Sequence, residues 1–390
     1  MRYFFLLCTF LTFAYASAQN TKEPSQAGKK MYERALSHIE DGEPQKGLML
    51  LHRVLKDEPT YAEARIRRAR LQSSFNNYGA AVRDYDYLYQ MGSGKLGEDT
   101  YKTITMQYAQ SLIQVQRNEE AKEVLKAYLK DHPNAPDALL HMGITHAFMP
   151  KPEWEKAMKY YEEGLEEAPE HVQLNYSMAF AYHNKEDFQA ALKHYRAVIK
   201  NADPEEDAAF LSVAHYYEGF VLNAEKKHEQ AIASLKKALE FNPKNDKALN
   251  ELAVAQLAAE QPREAFATVN RLLSISEDYR YYKTRALVNM RLQFFDRAIE
   301  DFDRYLEKDK RDAEVFLNYA ISMNKLGKPE QAMQKVSKAI DLNPGEAAYY
   351  YYRGDILLGL DIREEACVDF QQAANIGHDE ADKALRRFCN

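Results

Sequence analysis

A small residue recurs at two fixed places in each of ten successive blocks of about 34 residues. The first series is Ala35, Ala69, Ala109, Gly143, Ala179, Gly219, Ala253, Ala286, Ala320 and Gly354. The second is Gly47, Ala81, Ala121, Ala157, Ala191, Ala231, Ala265, Ala298, Ala332 and Ala366, with spacings of 34, 40, 36, 34, 40, 34, 33, 34 and 34 residues. With 51 Ala and 15 Gly in 390 residues, twenty small residues in twenty places is not a compositional accident. A fixed period of this length predicts stacked supersecondary units rather than one closed core.

Each block reads as two helices joined by a short turn. Where paired helices cross closely, a large side chain would hold the backbones apart, so each helix needs a small residue at the crossing. Larger apolar residues flank these places at helical spacing, as with Leu249, Leu252, Val254 and Leu257. A bulky residue often stands four after the second-helix Ala: Tyr85, Tyr161, Tyr195, Phe302 and Phe370. Pro59, Pro133, Pro169, Pro243 and Pro344 close blocks, because proline cannot continue a helix. Sustained period-two alternation is missing, so the expected fold is all-α.

This layout resembles the tetratricopeptide repeat family. In the stretch from Ala313 to Pro344, Phe316, Tyr319, Ala320, Gly327, Ala332, Ala339 and Pro344 fall on the family's positions. The first-helix Trp that the family often shows is replaced by Phe316, Tyr282, Tyr350 or Leu249. The resemblance implies a right-handed superhelical solenoid of about ten helix-turn-helix repeats over residues 28–377, followed by a capping helix in 378–390. Six extra residues near 92–100 and six more near 202–210 interrupt the period and are candidate joints.

Residues 1–18 are different. Arg2 precedes an apolar run from Tyr3 to Ala14, and Ala16-Ser17-Ala18 is a small-x-small cleavage site. This reads as a secretory signal peptide, too short to span a membrane, followed by a linker at 19–27. The expected compartment is the bacterial periplasm, with a eukaryotic secretory lumen as the alternative. Cleavage takes the net charge from −7 to −8 by removing Arg2. That acidic balance argues against nucleic acid and anionic membranes as partners. Charged residues at 28% and hydrophobic ones at 46% indicate a folded, soluble chain.

Cys367 and Cys389 are the cysteines left after cleavage. In an oxidising compartment they suggest a disulfide tying the cap to the last repeat; two buried thiols are the other reading. The stretch from Gly354 to Cys389 also resembles the ending of secreted Bacteroidota repeat proteins, which favours the disulfide and a bacterial source.

No chemical motif survives its context. Gly92-Ser93-Gly94-Lys95-Leu96-Gly97 spells G-x-G-x-x-G but follows a helix, where a dinucleotide loop follows a strand. His141 and His146 are five apart, off the i, i+4 spacing that converges on zinc. Carboxylate-rich stretches such as Glu162, Glu163, Glu166 and Glu167 read as solvated faces. No nucleophile, base and orienting group come together. The expectation is therefore a non-enzyme with no cofactor and no metal.

The family resemblance puts first helices on the concave face. Tyr176, Phe180, His183 and Asn184, with Tyr216, Tyr217, Phe220 and Asn223, would form an aromatic-amide groove for a peptide or helix. Arg280, Lys283, Arg291, Asn318, Asn324 and Lys325 would form a patch for an anionic segment. Together these predict a scaffold that binds protein segments of the cell envelope and helps assemble a complex. The alternative is a glycan- or nutrient-binding envelope protein built on the same repeats.

Overall fold

The computed structural model describes residues 23–389. The expected signal segment at 1–18 lies outside the described residues. The first helix opens at Gln26, inside the far end of the expected linker, and the Ser25 hydroxyl caps it by accepting from the Gly28 N–H.

Helix pairs account for most of the described residues. They are α1 (Gln26–Glu40) with α2 (Pro44–Asp57), and α3 (Ala62–Ser74) with α4 (Tyr78–Met91). A single turn, α5 (Ser93–Leu96), precedes α6 (Glu98–Gln114) with α7 (Asn118–Asp131), and then α8 (Pro136–Ala147) with α9 (Trp154–Glu167). A second compact unit begins at Pro169. It pairs α10 (Val172–Asn184) with α11 (Phe188–Asn201), α12 (Ala208–Ala224) with α13 (His228–Phe241), and α14 (Asp246–Ala258) with α15 (Pro262–Ile275). It continues with α16 (Arg280–Arg291) and α17 (Phe295–Leu306), α18 (Ala313–Lys325) and α19 (Pro329–Leu342), and α20 (Ala347–Gly359) and α21 (Arg363–Ile376), and it ends in α22 (Ala381–Phe388). No strand occurs among the described residues, and none of the described helices is long and apolar enough to cross a membrane.

All twenty small residues are buried. The glycines show why. A Cβ on Gly143 would stand 2.9 Å from the Ala157 carbonyl, and one on Gly219 or Gly354 would stand 3.2 Å from that of Ala231 or Ala366. The two series therefore face each other across each pair. The bulky residue one turn on closes over the crossing: Tyr85, Tyr161, Tyr195, Phe302 and Phe370 are among the most deeply buried large side chains.

In nine of the ten pairs the connecting turn holds one residue in the left-handed region. It is glycine at Gly42 and Gly327, but Asn76, Gln116, Glu186, Lys226, Glu260, Gln293 and Asp361 elsewhere. A side chain there costs about 1 kcal/mol, which the surrounding turn outweighs. The pair α8–α9, with two extra residues, makes its turn without such a residue.

The boundary between the two compact units falls at Ala168–Pro169. Each insertion precedes a 17-residue first helix, α6 or α12. The first insertion folds as α5 between Gly92 and Gly97, both at positive φ. The second is pinned by Asp203, whose carboxylate accepts from the backbone N–H groups of Glu205 and Glu206.

Within the second unit, α22 covers the apolar end of the last pair, packing Ala384, Leu385 and Phe388 around Leu357 and Phe370. A disulfide joins Cys367 to Cys389 across 22 residues, with Cα atoms 5.7 Å apart. Cys367→Ser is expected to destabilise the cap by about 3 kcal/mol through lost loop-closure entropy. Hydrogen exchange should show the loss in α22 and α21; unchanged protection there would refute it.

Candidate functional site

The first helices of the second unit touch one another in series, α10 to α12 to α14 to α16, and so present a continuous face. A cleft of about 370 Å³ opens on it. His183 of α10 and Tyr216, Tyr217 and Phe220 of α12 form one wall; Asp246, Lys247, Asn250 and Glu251 of α14, with Arg280 and Tyr281 of α16, form the other. Ring contacts run through the aromatic wall, with centroids 4.4 Å apart for His183 and Tyr217 and 4.8 Å for Tyr216 and Tyr217. Phe220 also borders a second, more apolar cavity of about 600 Å³ with Phe188, Val221 and Ala224.

Four of the eight expected groove residues therefore meet in one cleft. The other four do different things. Tyr176 packs on Tyr195 and Phe210, and Phe180 is half-buried. Asn184 is exposed and donates back to the Phe180 carbonyl. The Asn223 side-chain amide donates to Glu251 at 2.8 Å, and its oxygen lies 2.7 Å from His228.

Residues of α14 complete the cleft, and the sequence reading passed over them. The repeat frame could have found them: Glu251 stands two before Ala253, as Tyr217 stands two before Gly219.

The electrostatics of the cleft are uneven. Asp246 accepts from the Tyr281 hydroxyl at 2.8 Å, and Arg280 pairs with Asp278. Lys247 is exposed at the rim. Glu251 is half-buried and, among the described residues, receives only the Asn223 amide, so burial pushes its carboxyl above the ordinary value. Burial likewise lowers His183, whose Nδ1 is buried with no hydrogen-bond partner. Glu218, directly after Tyr217 on α12, is the opposite case. His215, at 3.7 Å, and then Arg196 and Ser234 hold it down to about 2 against its own burial.

A raised carboxyl makes a signed prediction. The stability that neutral Glu251 contributes is present below its unfolded value of about 4.5 and is lost as pH rises through the higher folded value. Glu251→Gln is therefore expected to melt with the wild type near pH 4 and above it at neutral pH. Thermal melts across that range check this, and a variant that melts lower at neutral pH contradicts it.

Three cations of the expected anionic-segment patch have acidic partners within the chain. Lys283 is held by Asp312 at 2.9 Å and Glu314 at 2.8 Å, Arg291 by Glu260 at 3.2 Å, and Arg280 by Asp278. Asn318 and Asn324 lie on α18, and Lys325 ends that helix. Among the described residues, no group of three His, Cys, Asp or Glu side chains is arranged to hold a metal.

Family models described as tetratricopeptide repeat match residues 108–171, 172–203, 222–287 and 284–347, together more than half of the chain. No curated protein matches it. Solved structures do. A tetratricopeptide repeat protein from Parabacteroides merdae is 18% identical, with 65% of this chain and 99% of that one covered and a TM-score of 0.46. YrrB, described as a TPR protein with an unusual peptide-binding site, is 21% identical over 50% of this chain and 97% of its own, with a TM-score of 0.42. PilF of Pseudomonas aeruginosa is 16% identical over 56% and 97%, with a TM-score of 0.46. The period, the buried small residues and the family matches agree: the chain belongs to the tetratricopeptide repeat family.

Proposed function

We propose that this protein is a non-enzymatic scaffold of the cell envelope that binds a protein segment along the first-helix face of its second unit and helps hold a complex together. As a tetratricopeptide repeat chain it is a protein-interaction scaffold, a fold whose members bind protein or peptide partners. The observation that carries the finer reading is the cleft. Aromatic rings supply apolar contact area, while Asn250, Asp246 and Glu251 supply polar groups that can orient a backbone or side chain. Export rests on the signal-like residues 1–18.

Crosslinking pull-downs from the cell envelope should compare the wild type with a His183→Ala, Phe220→Ala double variant, checked for helicity and melting temperature. A small set of partners, depleted at least about tenfold by the variant, is expected. Equal recovery by both baits would move the binding face elsewhere. An empty wild-type pull-down would count against the scaffold and turn attention to oligosaccharides.

A further inference from the structure

Glu251 has an unusual position in the cleft. A carboxylate withdrawn from water is costly unless it is paired, and the common partner is a cation. Here, among the described residues, the only hydrogen bond comes from the neutral amide of Asn223. Of the two cations that border the cleft, Arg280 is taken by Asp278, and Lys247 is solvated and makes no ion pair with Glu251. Asp246 adds a second negative charge on the same wall. Facing these carboxylates are the rings of Tyr216, Tyr217 and Phe220 and the unpartnered Nδ1 of His183. The cleft thus pairs carboxylates that have no cationic partner with aromatic faces, which attract a cation placed over them.

We infer that the cleft receives an arginine side chain of the bound segment, with its guanidinium on Glu251 and its plane against Tyr216 and Phe220. This rests on the groove-binding reading above. Arginine suits the site better than lysine for two reasons. Its planar fork offers five donors, enough for a carboxylate and a ring nitrogen together, and it is the less strongly hydrated cation. It also stacks on aromatic rings, where an ammonium acts as a point charge. An acidic segment would meet Glu251 and Asp246 with no free cation among the buried groups.

A random-peptide display library, selected against the full chain, tests this. Selected peptides are expected to share an arginine. Replacing that arginine by citrulline, which keeps its shape and removes its charge, should weaken binding at least about tenfold, and lysine should weaken it less. Glu251→Gln should give the same loss; the citrulline peptide on wild-type protein provides an independent reading should that variant not fold. Peptides that are lost from the His183→Ala, Phe220→Ala variant but show no arginine preference, or that are enriched in acids, would overturn the inference and leave groove binding standing. If no peptide is selected, or if the double variant binds the peptides as well as the wild type, groove binding itself fails, and the inference with it.

Discussion

Phe302→Ala is expected to destabilise the second unit by about 3–5 kcal/mol. Phe302 is fully buried, in a core that joins α16, α17 and α18 through Ala286, Ala298, Val315, Tyr319 and Ala320. It stacks on Tyr319 with ring centroids 5.9 Å apart. Truncation loses the transfer free energy of the ring and leaves a cavity between helices that cannot collapse, because Ala286 and Ala298 already hold the backbones at close approach. In a repeat array each unit contacts only its neighbours, so the damage should stay local. Hydrogen exchange is expected to speed up in α16 to α19 while α1 to α4 keep their protection. Uniform loss along the chain, or none, would refute this account.

Asp301→Ala should cost about as much, for a different reason. Asp301 is buried, accepts two hydrogen bonds from Arg285, at 2.9 and 2.6 Å, and takes a third from Asn289 at 3.0 Å. Its removal strands a part-buried guanidinium, a loss of about 3–5 kcal/mol when the partner of a buried charge is deleted. The same clasp recurs as Arg68 and Arg65 on Asp84, and as Arg353 on Asp369. In each case an arginine just before the first small residue reaches an aspartate just before the bulky second-helix residue, 16 positions on. Replacing both members, Arg285→Met with Asp301→Leu, should cost much less than the two single variants together, because no unpaired charge remains. Urea denaturation of the four proteins of this cycle measures the difference; strict additivity would show that the clasp does not act as a pair.

These two residues mark how far the sequence could be read. Phe302 was legible, because its place four after Ala298 repeats and helical geometry turns a repeated spacing into a repeated face. Asp301, one position earlier, was not. A carboxylate on a charged helix reads as solvated, since lone acids are rarely buried. Only its arginine on the preceding helix makes burial possible. The partners of the cationic patch were hidden for a related reason: Lys283 and Arg291 look unpaired until Asp312, Glu314 and Glu260, about thirty positions away, come beside them. Half of the expected groove met in one cleft because the repeat frame was right. Tyr176 went into packing because Phe210, on the next first helix, stood close enough to cover it.

By itself, then, the sequence determined the helix pairs, their period, the crossings and the cap. All of these follow from contacts within a repeat or with its neighbour, at spacings that the chain repeats. The tertiary structure decided which charges are neutralised, where the chain divides, and that α14 supplies the polar wall of the cleft. Those outcomes depend on which side chains three successive helices bring within hydrogen-bond reach, and the lengths and individual side chains of the helices, rather than the period, set that distance.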